Sequence, residues 1–147
     1  MKVVWPVEPI PKERHRHLKR PKRLKNGRVI KTYNPQKAVE KALRLLATTQ
    51  INEPPVKGAV KIECLFVFSR PKSHYGTGRN SGKLKPSAPK YHIVKPDSDN
   101  LLKMVKDVLN TVAYKDDCQV CRDFVSKEYV TGPDDQPRIE VTLTQLS

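Results

Sequence analysis

The chain has 147 residues, enough for one domain of ordinary size, and its 29 Lys and Arg against 15 Asp and Glu give a formal net charge of +14. Hydrophobic residues make up 37%, and no apolar run approaches the roughly 18–20 residues that cross a bilayer, so a helical membrane protein is excluded. The N-terminus lacks the apolar stretch of a secretory signal, and three cysteines without a disulfide-like framework fit a reducing compartment, so a cytoplasmic protein with no membrane partner is expected.

Residues 2–7 read as a short first strand that Pro6 confines to an edge or ends. Residues 8–33 are basic and proline-containing and are expected to form a partly mobile loop. Asn34-Pro35 predicts a helix start, with Asn as N-cap and Pro at the first helical position. Val39, Ala42, Leu43 and Leu46 then recur at helical spacing, and the helix should stop near Thr49, ahead of Pro54-Pro55. Residues 58–68 predict a strand, with Val60, Ile62, Cys64, Phe66 and Phe68 on one face by period-two alternation. Residues 69–95 hold three prolines and three glycines and predict a long flexible loop.

The clearest helix is expected over 99–112, where Leu101, Val105, Val108 and Val112 form an apolar stripe and Lys103, Lys106, Asp107 and Asn110 take the opposite face. Strands follow at 122–130 and 138–144, and the turn-forming Thr-Gly-Pro-Asp-Asp-Gln-Pro between them predicts a hairpin. The order β-α-β-α-β-β implies an α+β fold: one domain over 1–147, its helices packed on one mixed sheet, with long basic loops at about 8–33 and 69–95.

The positive charge is concentrated. Residues 11–31 carry +9 and residues 70–95 carry +7, which leaves the rest of the chain at −2. Two such segments suit a polyanion, nucleic acid above all. Candidate contacts are Arg14, Arg16, Lys19, Arg20, Lys22 and Arg23 in the first segment, and Arg70, Lys72, Arg79, Lys83, Lys85 and Lys95 in the second. A solvated, solubilising tail explains the same charge without a partner.

Against this background five of the fifteen acidic residues fall between 97 and 117, and all five are Asp: Asp97, Asp99, Asp107, Asp116 and Asp117. Carboxylates repel phosphate unless a divalent cation lies between them. Mg²⁺ takes a few carboxylates, water and substrate oxygens, so an Asp cluster in a basic field has the electrostatics of a metal-dependent nuclease. The plainer alternatives are that Asp97 or Asp99 caps the helix, that Asp116-Asp117 is a solvated turn, and that Lys103 makes helical ion pairs with Asp99 and Asp107. Asp116 and Asp117 lie beyond the far end of the helix. They come near its start only if the chain returns there, which a following strand running beside the strand before the helix could bring about.

The ordered series Lys95-Pro96-Asp97-Ser98-Asp99-Asn100-Leu101-Leu102-Lys103, Asp107-Val108-Leu109-Asn110 and Tyr114-Lys115-Asp116-Asp117-Cys118-Gln119-Val120 resembles the RusA family of Holliday-junction resolvases. The resemblance is strongest over about residues 84–130, including Ser87-Ala88-Pro89 and Lys127, and weaker over the N-terminal third. It implies a homodimeric, Mg²⁺-dependent endodeoxyribonuclease, with Mn²⁺ as a substitute ion, that resolves four-way DNA junctions by paired symmetric nicks in recombination and repair. It implies Asp97, Asp99 and Asp117 as metal-binding carboxylates, Asp116 as an adjacent acid, and Lys103 as the catalytic lysine. It places the protein in bacteria, their phages or prophages. The basic N-terminal segment and the loop at 70–93 look longer than in the most compact members.

A noncatalytic basic nucleic-acid-binding protein would explain the charge but not the ordered Asp and Lys pattern. A broader branched-DNA or flap nuclease would share the site. Cys118-x-x-Cys121 lacks the second pair that a structural zinc needs. Gly76-Thr77-Gly78 lacks the strand–helix setting of a nucleotide loop.

Overall fold

A computed structural model describes all 147 residues. Strands β1 (Lys2–Trp5), β2 (Arg16–Arg23) and β3 (Val29–Tyr33) precede helix α1 (Lys37–Gln50). Strand β4 (Val60–Phe68), helix α2 (Ser98–Leu109) and strands β5 (Val120–Tyr129) and β6 (Arg138–Gln145) complete the order. Four strands form a mixed sheet in the order β1-β6-β4-β5, with β4 and β5 parallel and the other neighbours antiparallel; β2 and β3 make a separate two-stranded ribbon. No helix is long and apolar enough to cross a membrane.

The alternation read from the sequence is what builds the core. Val60, Ile62, Cys64, Phe66 and Phe68 of β4 are all buried, as are Val3 and Trp5 of β1 and Ile139, Val141 and Leu143 of β6. Their registers place them on one face, with Trp5 opposite Ile139 and Ile139 opposite Phe66. Leu101, Met104, Val105, Val108 and Leu109 of α2 and Leu43 and Ala47 of α1 complete the same cluster. Trp5 is fully buried and its indole Nε1 donates to the Leu43 carbonyl at 3.0 Å, so its polar edge is satisfied. Truncating a filled core position such as Leu101 should cost about 2–5 kcal/mol.

Three expectations need correction. The first is the loop over 8–33, which instead holds the β2–β3 ribbon. Its turn closes through Leu24 N to Arg28 O at 2.8 Å, with Gly27 at φ +82°. Asn26-Gly27 is the pair that favours such a turn, but β2 has no buried face and therefore no alternation to read. Pro21 falls where the ladder changes register, between His17 and Lys22, a place where a missing N–H is tolerated.

The second is the β5–β6 hairpin. These strands do not pair, because β4 lies between them. The turn chemistry is present, with Asp135 Oδ2 accepting from Thr131 N at 2.9 Å, but a local turn does not choose the next partner. The apolar β4, Val-Lys-Ile-Glu-Cys-Leu-Phe-Val-Phe, takes the interior position with a neighbour on each side.

The third is the start of α1. Asn34 Oδ1 accepts from Gln36 N at 2.9 Å, and the N-cap position belongs to Gln36, so Asn34 and Pro35 form a turn ahead of the helix. The helix also presents Leu43 and Ala47 to the core, whereas Val39 and Leu46 are each 38% exposed.

The 69–95 segment is the expected loop, and it is fastened at both ends. Arg70 donates to the carbonyls of Val130 and Pro89, each at 2.6 Å. Further along, His92 N donates to Lys127 O at 3.0 Å and Tyr129 N to Lys90 O at 2.9 Å.

Candidate active site

The site is set by the β4–α2–β5 crossover. Because β5 runs parallel to β4, with Val120 beside Val60, the chain leaving α2 returns to the end of the sheet at which β4 starts. Asp99, in the first turn of α2, and Asp117, ahead of β5, line one cavity of about 310 Å³ together with Leu102, Lys103 and Lys106. Asp97 occupies the N-cap position but lines an adjoining cavity of about 490 Å³, with Pro11, Lys12, Lys95, Pro96 and Asn100. A third cavity of about 490 Å³ shares the lining residues Lys12 and Asn100 with one of them and Lys103 with the other. No three His, Cys, Asp or Glu side chains stand together as a ready-made cation cage.

The carboxylates are not interchangeable. The side chain of Asp97 makes no capping hydrogen bond, so the simple capping role is not the one it plays. Asp99 Oδ1 accepts from Asn100 N at 2.9 Å. Asp116 is the residue that caps: its Oδ1 accepts from Cys118 N at 3.0 Å and it forms a capping box with Gln119 over the short turn 117–119. The backbone N–H of Cys118, together with its side chain and that of Asp117, holds the Asp116 carboxyl below the usual range.

Gln119 builds this corner. Its Oε1 accepts from Lys115 N at 2.8 Å and Asp116 N at 3.0 Å. Its Nε2 donates to the carbonyls of Val56 at 2.9 Å and Gly58 at 2.8 Å. One amide thus ties the Asp116-Asp117 turn to the segment entering β4. The far end of α2 is held by Arg44 of α1, which donates to the carbonyls of Asp107 at 3.0 Å and Asn110 at 2.9 Å.

Lys103 makes no ion pair with Asp99 or Asp107. Asp107 is taken by Lys12, at 3.1 Å, and Lys12 is also bonded to Glu40. Burial works against the Lys12 ammonium, but the hydrogen bonds to Glu40 and Asp107 prevail and raise its pKa. Lys12 N also donates to Asn100 O at 3.0 Å, and Gln36 bridges Glu13 N and Pro11 O, each at 2.8 Å. The root of the basic ribbon is therefore joined directly to α2.

The basic residues fall into three settings. Lys19, Arg20, Lys22 and Arg23 are exposed along β2; Arg16, beside them, pairs with Glu13 at 2.9 Å, and Arg14 lines the third cavity. Lys72, Arg79, Lys83 and Lys85 belong to the long loop, and Lys95 lines the Asp97 cavity. Arg70 differs: its guanidinium is spent on two carbonyls and lies over the Tyr129 ring at 5.1 Å. Cys118 and Cys121 are exposed free thiols.

Sequence reasoning missed Lys106, one turn beyond Lys103 on the same cavity, and gave no role to Gln119 or Lys12. The i, i+3 spacing of Lys103 and Lys106 was the available sign for the first. Gln119 stands inside the Tyr114–Val120 motif, but its four backbone partners come from distant or turn segments.

The family model for endodeoxyribonuclease RusA matches residues 6–144. A protein of Bacillus subtilis (strain 168), "Uncharacterized protein YqaN", is 34% identical over 128 residues, which is 84% of this chain and 84% of that one.

Proposed function

The chain belongs to the RusA endodeoxyribonuclease family, and from that premise we propose that it is a Mg²⁺-dependent, dimeric resolvase of four-way DNA junctions. The family supports a junction-resolving endonuclease in general; the metal, the dimer and the residue roles are our reading. The observation that carries it is one cavity lined by two carboxylates and two lysines, Asp99, Asp117, Lys103 and Lys106, the first lysine having no acidic partner.

The donor set suits the ion. Asp99 and Asp117 are hard oxygen ligands on an open cavity, and Mg²⁺ binds through one or two carboxylates while keeping water and substrate oxygens. Asp97, two residues before Asp99, would complete the set from the adjoining cavity. When bound, such an ion supplies Lewis-acid polarisation of a phosphate oxygen and a water of lowered pKa. Lys103 offers its ammonium to the charge that builds on the phosphate during in-line attack, and Lys106 adds a second cation one turn away. Water adds to phosphorus and the bond to the 3′ oxygen breaks, leaving a 5′-phosphate and a 3′-hydroxyl. Gln119 acts as a positioning residue by holding the turn that carries Asp117. Two copies related by a two-fold axis would present two such sites to a junction of similar symmetry.

The test is cleavage of labelled four-way junctions, flaps and linear duplexes with and without Mg²⁺ or Mn²⁺. Asp99→Asn and Asp117→Asn should abolish cutting and leave junction binding largely intact. Metal-independent cutting, or full activity in both variants, would overturn the assignment.

A further inference from the structure

Residues 90–94 run antiparallel along the free edge of β5. Tyr91 bridges to Glu128, and His92 N and Tyr129 N donate backbone hydrogen bonds to Lys127 O and Lys90 O. The Lys127 ammonium donates to Val94 O at 2.8 Å. His92 turns inward, 8% exposed, and its ring stacks on Phe68 at 3.8 Å. Strand alternation then sends Tyr91 and Ile93 outward, and Val94 is exposed at the bend where the run along β5 ends. Ile93 is 88% exposed, more than any other large hydrophobic residue of the chain, and Tyr91 and Val94 are 56% and 57% exposed. Three bulky apolar side chains are held out from a fastened backbone, not left on a slack loop.

Two further facts identify what they meet. Residues 70–95 carry seven basic residues and no acidic one, and the Lys90 ammonium sits 5.2 Å from the Tyr91 ring centre. Ile93 also lies four residues before Asp97, so the chain allows them to be no more than about 14 Å apart, roughly four base steps of a nucleic-acid strand. A protein partner would have to accept this positive rim, whereas nucleic acid is drawn to it. Apolar side chains of this kind insert between base steps, or pack on the faces of unstacked bases, where phosphates are neutralised alongside.

We infer that Ile93 and Val94, with Tyr91 beside them, form an apolar wedge that occupies unstacked bases at the branch point and thereby selects branched over linear DNA. The inference rests on the reading of the chain as a junction nuclease and adds the element that recognises the branch. A fully stacked duplex has no gap for Ile93, so the wedge contributes to junction binding and not to duplex binding.

The experiment uses the full chain in Ca²⁺, with four-way junctions carrying 2-aminopurine, whose fluorescence rises on unstacking, either beside the branch or inside an arm. Junction and duplex affinities and sedimentation are measured in parallel. The unaltered protein should raise the fluorescence only beside the branch. Ile93→Ser/Val94→Ser should abolish that rise and reduce the junction-over-duplex preference about tenfold or more, with duplex affinity and the melting temperature unchanged. Ile93→Phe should retain both. A double variant that keeps the fluorescence rise and the preference would overturn the wedge while leaving the nuclease reading intact. A variant that becomes monomeric and loses both affinities together would overturn it in favour of an interface between copies. If the unaltered protein has no junction preference, the functional reading falls first and the wedge with it.

Discussion

Asp107 is held by Lys12 and not by Lys103: the Lys12 ammonium stands 3.1 Å from the Asp107 carboxylate, while Lys103, one turn earlier in α2, has no acidic partner within 4.0 Å. The sequence spacing Asp99-Lys103-Asp107 suggests a helical ion-pair ladder, and the tertiary structure dismantles it. Lys103→Ala should therefore leave the melting temperature nearly unchanged, a change within about 0.5 kcal/mol, as for exposed sites without special contacts. Single-turnover cleavage should fall roughly tenfold to thousandfold if the ammonium stabilises the developing phosphate charge. Lys103→Arg should restore only part, since a guanidinium is planar and forked where an ammonium is compact. Normal cleavage by Lys103→Ala would remove the lysine from the mechanism.

Gln119 offers a test of positioning. Gln119→Ala removes four hydrogen bonds from the corner that carries Asp117. The Mg²⁺ concentration for half-maximal cleavage should rise about tenfold to hundredfold, the range for residues that orient metal ligands. The rate at saturating Mg²⁺ should change much less, and Gln119→Glu, which keeps the two acceptor contacts, should fall between. A lower rate with an unchanged Mg²⁺ requirement would show that Gln119 does not act through the metal.

The β2–β3 ribbon should set the salt dependence of DNA binding. Replacing residues 17–31 with a short Gly-Ser linker takes away a run of Lys and Arg that contains no acidic residue, and spares the Lys12 anchor. For every phosphate that the shortened protein no longer neutralises, the slope of log affinity against log salt should become shallower by about 0.9. Metal-dependent cutting at low salt should survive. An unchanged slope would mean the ribbon does not touch the DNA backbone.

A pH effect is expected at His92. Burial lowers its pKa and the Lys127 charge adds to this, opposed by Glu8 and by the backbone carbonyls of His92 and Val94, which favour the protonated ring; His74 and Tyr129 also flank it. A histidine depressed in the folded state binds fewer protons there than when unfolded. Its stabilisation is complete above the unfolded value of 6.5 and is lost as pH falls through the folded one. Between about pH 7.5 and 5.5 the melting temperature should fall further for the unaltered protein than for His92→Phe, which keeps the stack on Phe68. Equal falls would show that His92 does not titrate in this window.

Much of this protein was legible in the amino-acid order, for reasons that are local. Strand β4 and helix α2 carry periodic apolar residues, so their buried faces follow from spacing, and the core found there is the one the pattern predicts. The order of Asp and Lys residues from Asp97 to Asp117 pointed to the family, and the family model covers that span. Three features were decided only by tertiary structure, because each depends on which distant segment arrives next to which. The insertion of β4 between β5 and β6 replaced a hairpin that local turn chemistry favoured, since an apolar strand gains more from two neighbours than a turn gains from one. The ribbon over 16–33 has backbone pairing without a buried face, so no hydrophobic pattern announced it. And the tertiary fold brought Asp117 to a cavity that Asp99 also lines while leaving Asp97 on a neighbouring one, a division that residue spacing could not express.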